Sequence, residues 1–169
     1  PDEDGIKKIQ FVKNKVCILG HQRLSILDQR YGSQPMKSSV KKNWILFNGE
    51  IYNNKLLRNK LHKKYKFLSS HSDTESALAH YTINNVKAFD DFDGMFSILI
   101  LDILKSKIII SRDRNGIKPL YYFNDGENIG VSTELKSIAK YFKPKLIKDN
   151  LEFSWMLDMI QSPKSILKD

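Results

Sequence analysis

The spacing of the hydrophobic residues changes several times along this chain, and these changes divide it into strands and helices. Three short segments rich in Ile, Val, Leu and Phe come first and predict strands at Ile6–Val12, Val16–Leu27 and Asn43–Phe47. An apolar face at helical spacing then begins at Leu56, and either Ser72 or Asp73 can cap a second helix that runs through Tyr81. The first half of the chain therefore predicts three strands followed by two helices.

The second half returns to the strand pattern and ends in one more helix. The predicted strands are Met95–Asp102, Lys107–Arg112, Leu120–Phe123 and Gly130–Ser132. The run Phe96–Leu101 is apolar at nearly every position, which is typical of a strand buried on both faces. Thr133–Tyr141 predicts the last helix. This order of elements predicts an α+β fold with two sheets covered by helices.

Length and composition exclude several classes of protein. A chain of 169 residues, of which 41% are hydrophobic, can build a core without disulfides or metals. Cys17 is the single cysteine, so an internal disulfide is excluded and a reducing, cytoplasmic setting is predicted. The histidines do not repeat at a ligand spacing, so no metal site is predicted. No apolar run approaches the ~20 residues of a membrane-spanning helix, so no membrane partner is predicted either.

The charge balance makes nucleic acid a partner to consider. The chain carries 28 Lys and Arg against 19 Asp and Glu, which gives a net charge of +9. The lysines are scattered over the whole length, however, and the aromatic residues lie in apolar runs rather than among basic residues. A nucleic-acid interface needs basic residues clustered on one surface. The distribution therefore predicts a solvated surface and no nucleic-acid partner.

Three polar segments could bind a small molecule, although each also has a purely structural interpretation. Arg23 could hold a carboxylate through two parallel hydrogen bonds, or it could pair on the surface with Asp28. Asn48 and Gly49 could supply two donors to a developing oxyanion, with the missing Cβ of Gly49 admitting the substrate, or they could form a hairpin turn. Asp73 could bind an ammonium group or cap its helix. Spacing alone leaves these alternatives open.

Two further segments have mainly structural interpretations. Cys17 lies in an apolar strand and is predicted to be a core thiol, which is inert without an adjacent base. Arg112–Gly116 closes a strand and is predicted to be a turn tied by Arg/Asp pairs. Neither segment is therefore assigned a chemical role from its residues.

The order and spacing of the motifs together are much more specific than any one of them. The motifs are Pro1–Gly5, Gly20–Asp28, Gln34–Met36, Asn48–Asn53, Ser72–Glu75, Phe92–Phe96, Arg112–Tyr121 and Ser132–Lys136. Nearly the whole chain resembles, in sequence, the glutaminase domain of glutamine-hydrolysing asparagine synthetases, which are class II glutamine amidotransferases. The resemblance implies their N-terminal-nucleophile fold, a four-layer αββα sandwich, here without its first strand and helix. It also implies that residues 1–142 are a partial amidotransferase domain and that residues 143–169 begin the connection to a missing synthetase domain.

The resemblance implies an activity and its partners. In this family a cysteine at the mature N-terminus attacks the side-chain amide of L-glutamine, and its own α-amine serves as base. The ammonia passes to the C-terminal synthetase domain, where ATP activates aspartate for amidation to asparagine. No cofactor is expected in the present segment, because ATP and Mg²⁺ belong to the synthetase domain. A homodimer is compatible with the resemblance, which leaves the oligomeric state open.

Individual roles follow from the resemblance, residue by residue. Arg23 matches the clamp on the glutamine α-carboxylate. Asn48 and Gly49 are similar to the oxyanion-hole donors, and Glu50 and Asp73 match the positions that receive the α-amino group. The rest of the wall beside Arg23 is formed by Leu24, Ser25, Ile26 and Leu27. The resemblance thus implies a glutamine pocket built from three separate motifs.

The departures from the family pattern limit what these 169 residues can do alone. The chain begins with Pro1 rather than with cysteine, and Cys17 cannot replace the nucleophile, because a nucleophile that needs its own free α-amine cannot sit inside a strand. The Ser-Gly-Gly-Leu-Asp-Ser loop of the synthetase domain is also absent. The polypeptide is therefore expected to bind glutamine poorly and to hydrolyse none. The alternatives are a non-catalytic glutaminase-like binding module, or an amidotransferase with another acceptor such as a surface-polysaccharide sugar or a β-lactam precursor.

Overall fold

The computed structural model of the protein describes residues 3–12, 15–23 and 33–142. The strands are β1 (Glu3–Val12), β2 (Lys15–Arg23), β3 (Met36–Lys37), β4 (Asn43–Ile51), β5 (Gly94–Asp102), β6 (Lys107–Arg112), β7 (Tyr121–Asn124) and β8 (Ile129–Ser132). The α-helices are α1 (Asn54–Leu61), α2 (Asp73–Asn84) and α3 (Leu135–Phe142), and a 3₁₀-helix spans Asn85–Asp91. The predicted elements occur in the predicted order, together with β3 and the 3₁₀-helix, which were not predicted. Residues 143–169, including the predicted connection, lie outside the described part.

The described strands form three antiparallel sheets. A central sheet has the order β3-β4-β5-β6, and two ribbons are formed by β1 with β2 and by β7 with β8. This arrangement of antiparallel sheets with separate helices confirms the predicted α+β class. Within the described ranges, no helix has the length and the apolar character needed to cross a bilayer.

One face of the central sheet packs against helices and forms the main core. In the register of β4 with β5, Ile45 lies opposite Ile100 and Phe47 opposite Ile98, and all four side chains are buried. Together with Ile51 and Phe96 they pack against helix residues that include Leu57, Ala77, Leu78 and Tyr81. Burial of apolar side chains such as these is the dominant favourable contribution to the free energy of folding. The prediction for β5 is largely confirmed, because residues 96–101 are buried except for Leu99, which is half-buried.

The opposite face of the central sheet borders a cavity of about 550 Å³. The cavity lies between β4 and β5, the end of the β1–β2 ribbon, and the segment from β8 into α3. Leu46 and Asn48 line it from β4, and Ser97 and Leu99 line it from β5. Alternate residues of a strand point to opposite faces, so the cavity side carries Asn48 while the helix side carries Phe47.

Two structural predictions need correction. Cys17 is half-buried in β2 rather than deeply buried, although this burial is enough to raise the pKa of its thiol. The turn after β6 is tied through backbone groups and not through Arg/Asp pairs. The Arg112 guanidinium donates to the carbonyl oxygens of Gly116 and Lys118, and the Asp113 carboxylate accepts from the N–H groups of Phe96, Ile117 and Lys118. The short side chain of Asp113 is thus directed inward, where it fixes the turn to β5.

Candidate active site

The Asn48–Gly49 segment is a continuous part of β4 and not a hairpin turn. β4 was predicted to end at Phe47 but extends to Ile51, with Asn48 paired to Ser97 and Gly49 to Phe96 of β5. The local turn preference of an Asn-Gly pair is overridden by this pairing, because β5 supplies partners from a distant part of the sequence. The hairpin-turn alternative is therefore wrong.

Gly49 is required by the close approach of β5. Its φ is +148°, and a Cβ added there would lie 2.0 Å from the carbonyl oxygen of Met95. The approach is reciprocal, since a Cβ on Gly94 would lie 2.2 Å from the carbonyl oxygen of Glu50. The missing Cβ thus makes room for a neighbouring strand, which is a different reason from the substrate access expected from the sequence.

The N–H group of Gly49 points to the open edge of β4. On this edge the Phe47 N–H donates to Oε1 of Gln34 at 2.6 Å, and the Ile51 N–H donates to Oδ2 of Asp73 at 3.1 Å. Alternate residues of an antiparallel strand direct their N–H groups to the same side, so the Gly49 N–H lies between these two on that side. Within the described residues no hydrogen bond from it is found. Among the described residues it is therefore an unpaired donor at the edge of β4.

Asn48 faces the cavity beside a second polar group. Its cross-strand partner Ser97 is 3% exposed, and within the described part of the chain the Ser97 hydroxyl has no hydrogen-bond partner. Both residues line the cavity. Because buried polar groups normally find partners, this end of the cavity is suited to a polar ligand.

Asp73 does not cap its helix, although capping was one of its two interpretations. Ser72 is the N-cap, and its Oγ accepts from the Glu75 N–H at 3.2 Å. Asp73 is the first residue of α2, and its carboxylate accepts from the Thr74 N–H at 2.8 Å as well as from the Ile51 N–H. This bond to Ile51 holds the Asp73 carboxylate at the end of β4, and Asn48 and Gly49 belong to the same end of that strand.

The electrostatic surroundings of Asp73 favour a cation. Burial raises the pKa of its carboxyl above the ordinary value, the N–H groups of Ile51 and Thr74 lower the pKa in part, and the Glu50 carboxylate raises it again. Glu50 is exposed, and its contribution is the smallest of these causes, but it has the sign of a repulsion between two carboxylates, which a positive group between them would relieve. A ligand ammonium group would relieve both the burial cost and this repulsion.

A network that the sequence analysis did not identify holds the start of α2 in place. The buried Glu75 carboxylate accepts from the N–H groups of Leu68 and Ser69 at 2.7 and 2.8 Å and lies 3.8 Å from the Arg58 guanidinium. Arg58 also donates to the carbonyl oxygen of Ser72 at 3.2 Å. The Ser72-x-x-Glu75 spacing was a detectable signal, since it is the pattern of a capping box, but here Glu75 reaches further back than the cap residue. The network fixes the loop that presents Asp73.

The remaining predicted residues lie at or beyond the limit of the described part. Arg23 is the last residue of β2, where its backbone pairs with Glu3, and nothing is described of its side chain. Leu24, Ser25, Ile26 and Leu27 fall outside the described residues, so their roles stay predictions. His21 and Gln22, which directly precede Arg23, line the same cavity as Asn48. The end of β2 therefore approaches the site from the opposite side of the cavity.

Metal ligands are not grouped in this site. Within the described ranges, no set of three or more His, Cys, Asp or Glu residues is close enough together to hold a metal ion. The groups brought together at the end of β4 are instead hydrogen-bond donors and carboxylates. They suit an organic ligand that carries an amide and an ammonium group.

Comparison with known proteins gives a consistent result. The family model described as "Glutamine amidotransferase domain" matches residues 1–169. The putative glutamine-hydrolyzing asparagine synthetase 2 of Methanocaldococcus jannaschii is 36% identical over 188 residues, an alignment that covers 100% of this chain and 36% of that protein. The glutamine-hydrolyzing asparagine synthetase B of Escherichia coli is 38% identical over 124 residues, which cover 73% of this chain and 22% of that protein. The chain thus spans little more than a third, or less, of the length of these relatives.

A solved structure supports the fold. The glutamine phosphoribosylpyrophosphate amidotransferase from B. subtilis, solved in complex with ADP and GMP, superposes with a TM-score of 0.60 and 22% identity over 75% of this chain and 29% of that one. This likeness confirms the predicted N-terminal-nucleophile-type α+β sandwich. The family model covers every residue, and two of the quoted motifs, Asn48–Asn53 and Ser72–Glu75, meet at one end of the central sheet. The chain therefore belongs to the glutamine amidotransferase domain family.

Proposed function

We propose that this chain is the glutaminase portion of a glutamine-hydrolysing asparagine synthetase. In that role it binds L-glutamine and, in the whole protein, releases ammonia for the ATP-dependent amidation of aspartate. The observation that carries the proposal is the outward N–H of Gly49, which has no partner within the described residues and lies between Asn48 on the cavity side and the Asp73 carboxylate at the strand end. The acceptor of the ammonia, aspartate, is proposed from the names of the relatives, which are asparagine synthetases. We also propose that the protein is located in the cytoplasm.

The chemistry needs a nucleophile and a place for the charge that develops. The cysteine thiolate forms a bond to the carbonyl carbon of the glutamine side chain, and the carbonyl electron pair moves to its oxygen. We assign the stabilisation of this oxyanion to the Asn48 side-chain amide and the Gly49 N–H. Collapse of the intermediate expels the amide nitrogen, which takes up the thiol proton through the α-amine and leaves as ammonia. The γ-glutamyl thioester that remains is cleaved by water, which releases glutamate and restores the thiol. Asn48 and Gly49 thus act as preorganised hydrogen-bond donors, while the cysteine forms the covalent bond to the substrate.

The two ends of the glutamine backbone need opposite charges. Asp73 and Glu50 are the proposed receivers of the α-ammonium group, which the raised pKa of Asp73 and its repulsion by Glu50 support. Arg23, at the end of β2, is the proposed clamp on the α-carboxylate. Arg23→Ala and Asp73→Asn both remove a contact that is the same in the ground state and the transition state. We therefore place both residues in recognition rather than in the chemical step.

The rest of the reaction belongs to a synthetase domain. ATP and Mg²⁺ would be held there, and the groups brought together at the end of β4 offer no described cluster that fits a metal ion. We propose, on the basis of the resemblance, that the synthetase domain and a second copy of the protein are partners. We propose no nucleic-acid or membrane partner. An amidotransferase that uses a different acceptor would share the present site, since acceptor recognition lies in that other domain.

Glutamate release from glutamine tests the proposed function. The protein to use is the cysteine-first protein, defined as this chain extended upstream by the family segment that begins with cysteine. We expect it to release glutamate and ammonia in equal amounts, whereas residues 1–169 alone release none. Cys17→Ser should leave the activity unchanged, because burial raises the pKa of that thiol and keeps it protonated. Glutamine binding without hydrolysis would favour the non-catalytic module, and activity of residues 1–169 lost on Cys17→Ser would overturn the assignment.

The pH dependence of KM tests the Asp73 assignment separately. An ionised Asp73 binds the ammonium group, and its pKa is raised, so it becomes protonated at a higher pH than an ordinary aspartate. We expect KM for glutamine to rise as the pH falls toward that raised pKa. Asp73→Asn should raise KM by about 10-fold or more and remove this dependence, with kcat little changed. Steady-state kinetics over the acidic range provide the measurement, and a pH dependence that persists in Asp73→Asn would contradict the assignment.

A further inference from the structure

Beside the site, the pairing of β3 with β4 stops after two residues. Gln34, which lies just before β3, has no role in the glutamine pocket described above. β3 has only two residues, and Met36 pairs with Ile45 while Lys37 pairs with Trp44. Continuing this antiparallel register backwards places Pro35 opposite Leu46 and Gln34 opposite Phe47. Phe47, and not Leu46, directs its N–H and carbonyl groups to this edge, so Gln34 is the residue at which the ladder would have to continue.

The backbone of Gln34 is turned toward β1 instead of β4. A Cβ added to Gly5 would lie 1.8 Å from the carbonyl oxygen of Gln34, so the two backbones are in direct contact. Only a glycine in β1 permits this approach. The main chain of Gln34 is therefore held against the β1–β2 ribbon, and only its side chain can reach Phe47.

The side-chain amide of Gln34 takes the place of the missing strand partner. Its Nε2 donates to the Phe47 carbonyl oxygen at 2.9 Å, and its Oε1 accepts from the Phe47 N–H at 2.6 Å. The side chain is 8% exposed, and both outward polar groups of Phe47 are thereby satisfied. The amide covers only Phe47, and the next outward N–H along β4 is that of Gly49, which has no partner within the described residues.

We propose that Gln34 is a positioning residue of the glutaminase site, and this inference rests on the proposed function. It fixes the Phe47 peptide and so sets the direction of the two donors that follow, the Asn48 side chain and the Gly49 N–H. Gln34 touches neither the substrate nor the reacting atoms.

The position of an oxyanion donor matters only when the charge has formed. Removing the Gln34 amide lets the Phe47–Gly49 segment shift, and displacements of about 1 Å can lower a rate by roughly 10²-fold. Glutamine is held in the ground state by contacts at its α-groups, at Arg23 and Asp73. We therefore expect a loss in kcat with little change in KM.

The test compares Gln34→Met with a matched control in the cysteine-first protein. Methionine keeps the length of the side chain and removes both hydrogen bonds to Phe47. We expect kcat to fall by about 10- to 100-fold, KM to stay within about twofold, and amide hydrogen exchange at Phe47 to become faster. The control is Tyr81→Phe, which removes a buried bond to Asp102 of 3.0 Å on the far side of the core. It should lower thermal stability without changing kcat.

A second variant keeps the inference testable if Gln34→Met does not fold. Gln34→Glu retains the acceptor for the Phe47 N–H and places a carboxylate oxygen against the Phe47 carbonyl, and protonation restores a donor there. We expect its kcat, relative to the wild-type protein, to rise as the pH falls. Wild-type kcat in Gln34→Met, or a ratio that does not change with pH in Gln34→Glu, would overturn the positioning role.

The proposed function and this inference fail in different ways. If the wild-type cysteine-first protein releases no glutamate, the proposed function is wrong. In that event amide hydrogen exchange at Phe47 and Gly49 still tests whether Gln34 holds this part of β4 in place. Unchanged exchange at Phe47 in Gln34→Met would show that Gln34 does not hold this part of β4, whatever the activity.

Discussion

Asn48→Ala lowers kcat for glutamine hydrolysis by about 10² to 10³ and leaves KM nearly unchanged. This result is expected because the Asn48 amide meets negative charge only when the tetrahedral intermediate forms. Its side chain lines the cavity at the end of β4, next to Gly49, whose N–H has no partner within the described residues. A donor used only in the transition state contributes to kcat and not to ground-state binding. Initial rates of glutamate release in the cysteine-first protein provide the measurement.

A matched asparagine in the same strand separates chemistry from stability. Asn43 lies at the opposite end of β4, is buried, and donates to the Thr82 hydroxyl at 3.4 Å. Asn43→Ala should lower thermal stability and leave kcat close to the wild-type value. Equal losses of kcat in Asn43→Ala and Asn48→Ala would mean that the rate reports only on the integrity of the sheet, and the oxyanion assignment would be withdrawn.

Gly49→Ala lowers the free energy of unfolding by about 3 to 5 kcal/mol, a loss in the range seen for overpacked or strained core positions. The added methyl would lie 2.0 Å from the carbonyl oxygen of Met95, and a φ of +148° is unfavourable for alanine. The neighbouring atom is backbone in the middle of a sheet, so it cannot move aside as a flexible side chain would. Denaturant unfolding gives the measurement, and it applies to residues 1–169 as well as to the cysteine-first protein.

The control for this substitution is Gly20→Ala in β2. A Cβ at Gly20 would meet nothing within 4 Å. We expect a change of less than about 1 kcal/mol there, since surface substitutions without a special contact are usually mild. A stable Gly49→Ala protein that fails only in catalysis would restore the original interpretation, in which the glycine makes room for the substrate.

Local patterns in the sequence predicted most of the secondary structure, although not β3, the 3₁₀-helix or the full length of β4. The alternating and continuous apolar runs located β1, β4 and β5, because a strand with a buried face must place apolar residues at regular intervals. The position of α2 followed from Ser72, whose hydroxyl satisfies an N–H that the first turn leaves free. These features depend on neighbours within a few residues of each other.

The errors have a common physical cause, which is pairing between distant parts of the chain. Asn48–Gly49 is a good local turn, but β5 supplies a complete set of partners for it from Phe96 and Ser97. Asp73 is a good local cap, but Ser72 takes the cap position, and the Asp73 carboxylate joins the first turn of its helix to the distant N–H of Ile51. A single sequence does not state which distant residues will meet, so the reason for Gly49 and the role of Gln34 emerged only from the structure.

The pocket residues were available from the resemblance rather than from local patterns. The structure brings Asn48, Gly49, Glu50 and Asp73 together at one end of the central sheet. It does not describe the side chain of Arg23 or the segment that follows it, so the carboxylate end of the pocket remains a prediction. Charge alone would not have located it, since a surface ion pair with Asp28 explains the same arginine equally well.

The outer edge of β4 has a consequence for how the domain avoids association. An exposed strand edge with several free N–H groups is a template on which another chain can add a strand and begin to aggregate. Here the donors at Phe47 and Ile51 are each occupied by a side chain, from Gln34 and Asp73. Within the described residues only the Gly49 N–H between them has no partner, and one N–H is too short a stretch for a foreign strand to bind. The same two side chains that leave one donor for a small ligand therefore protect this edge against intermolecular β-sheet formation.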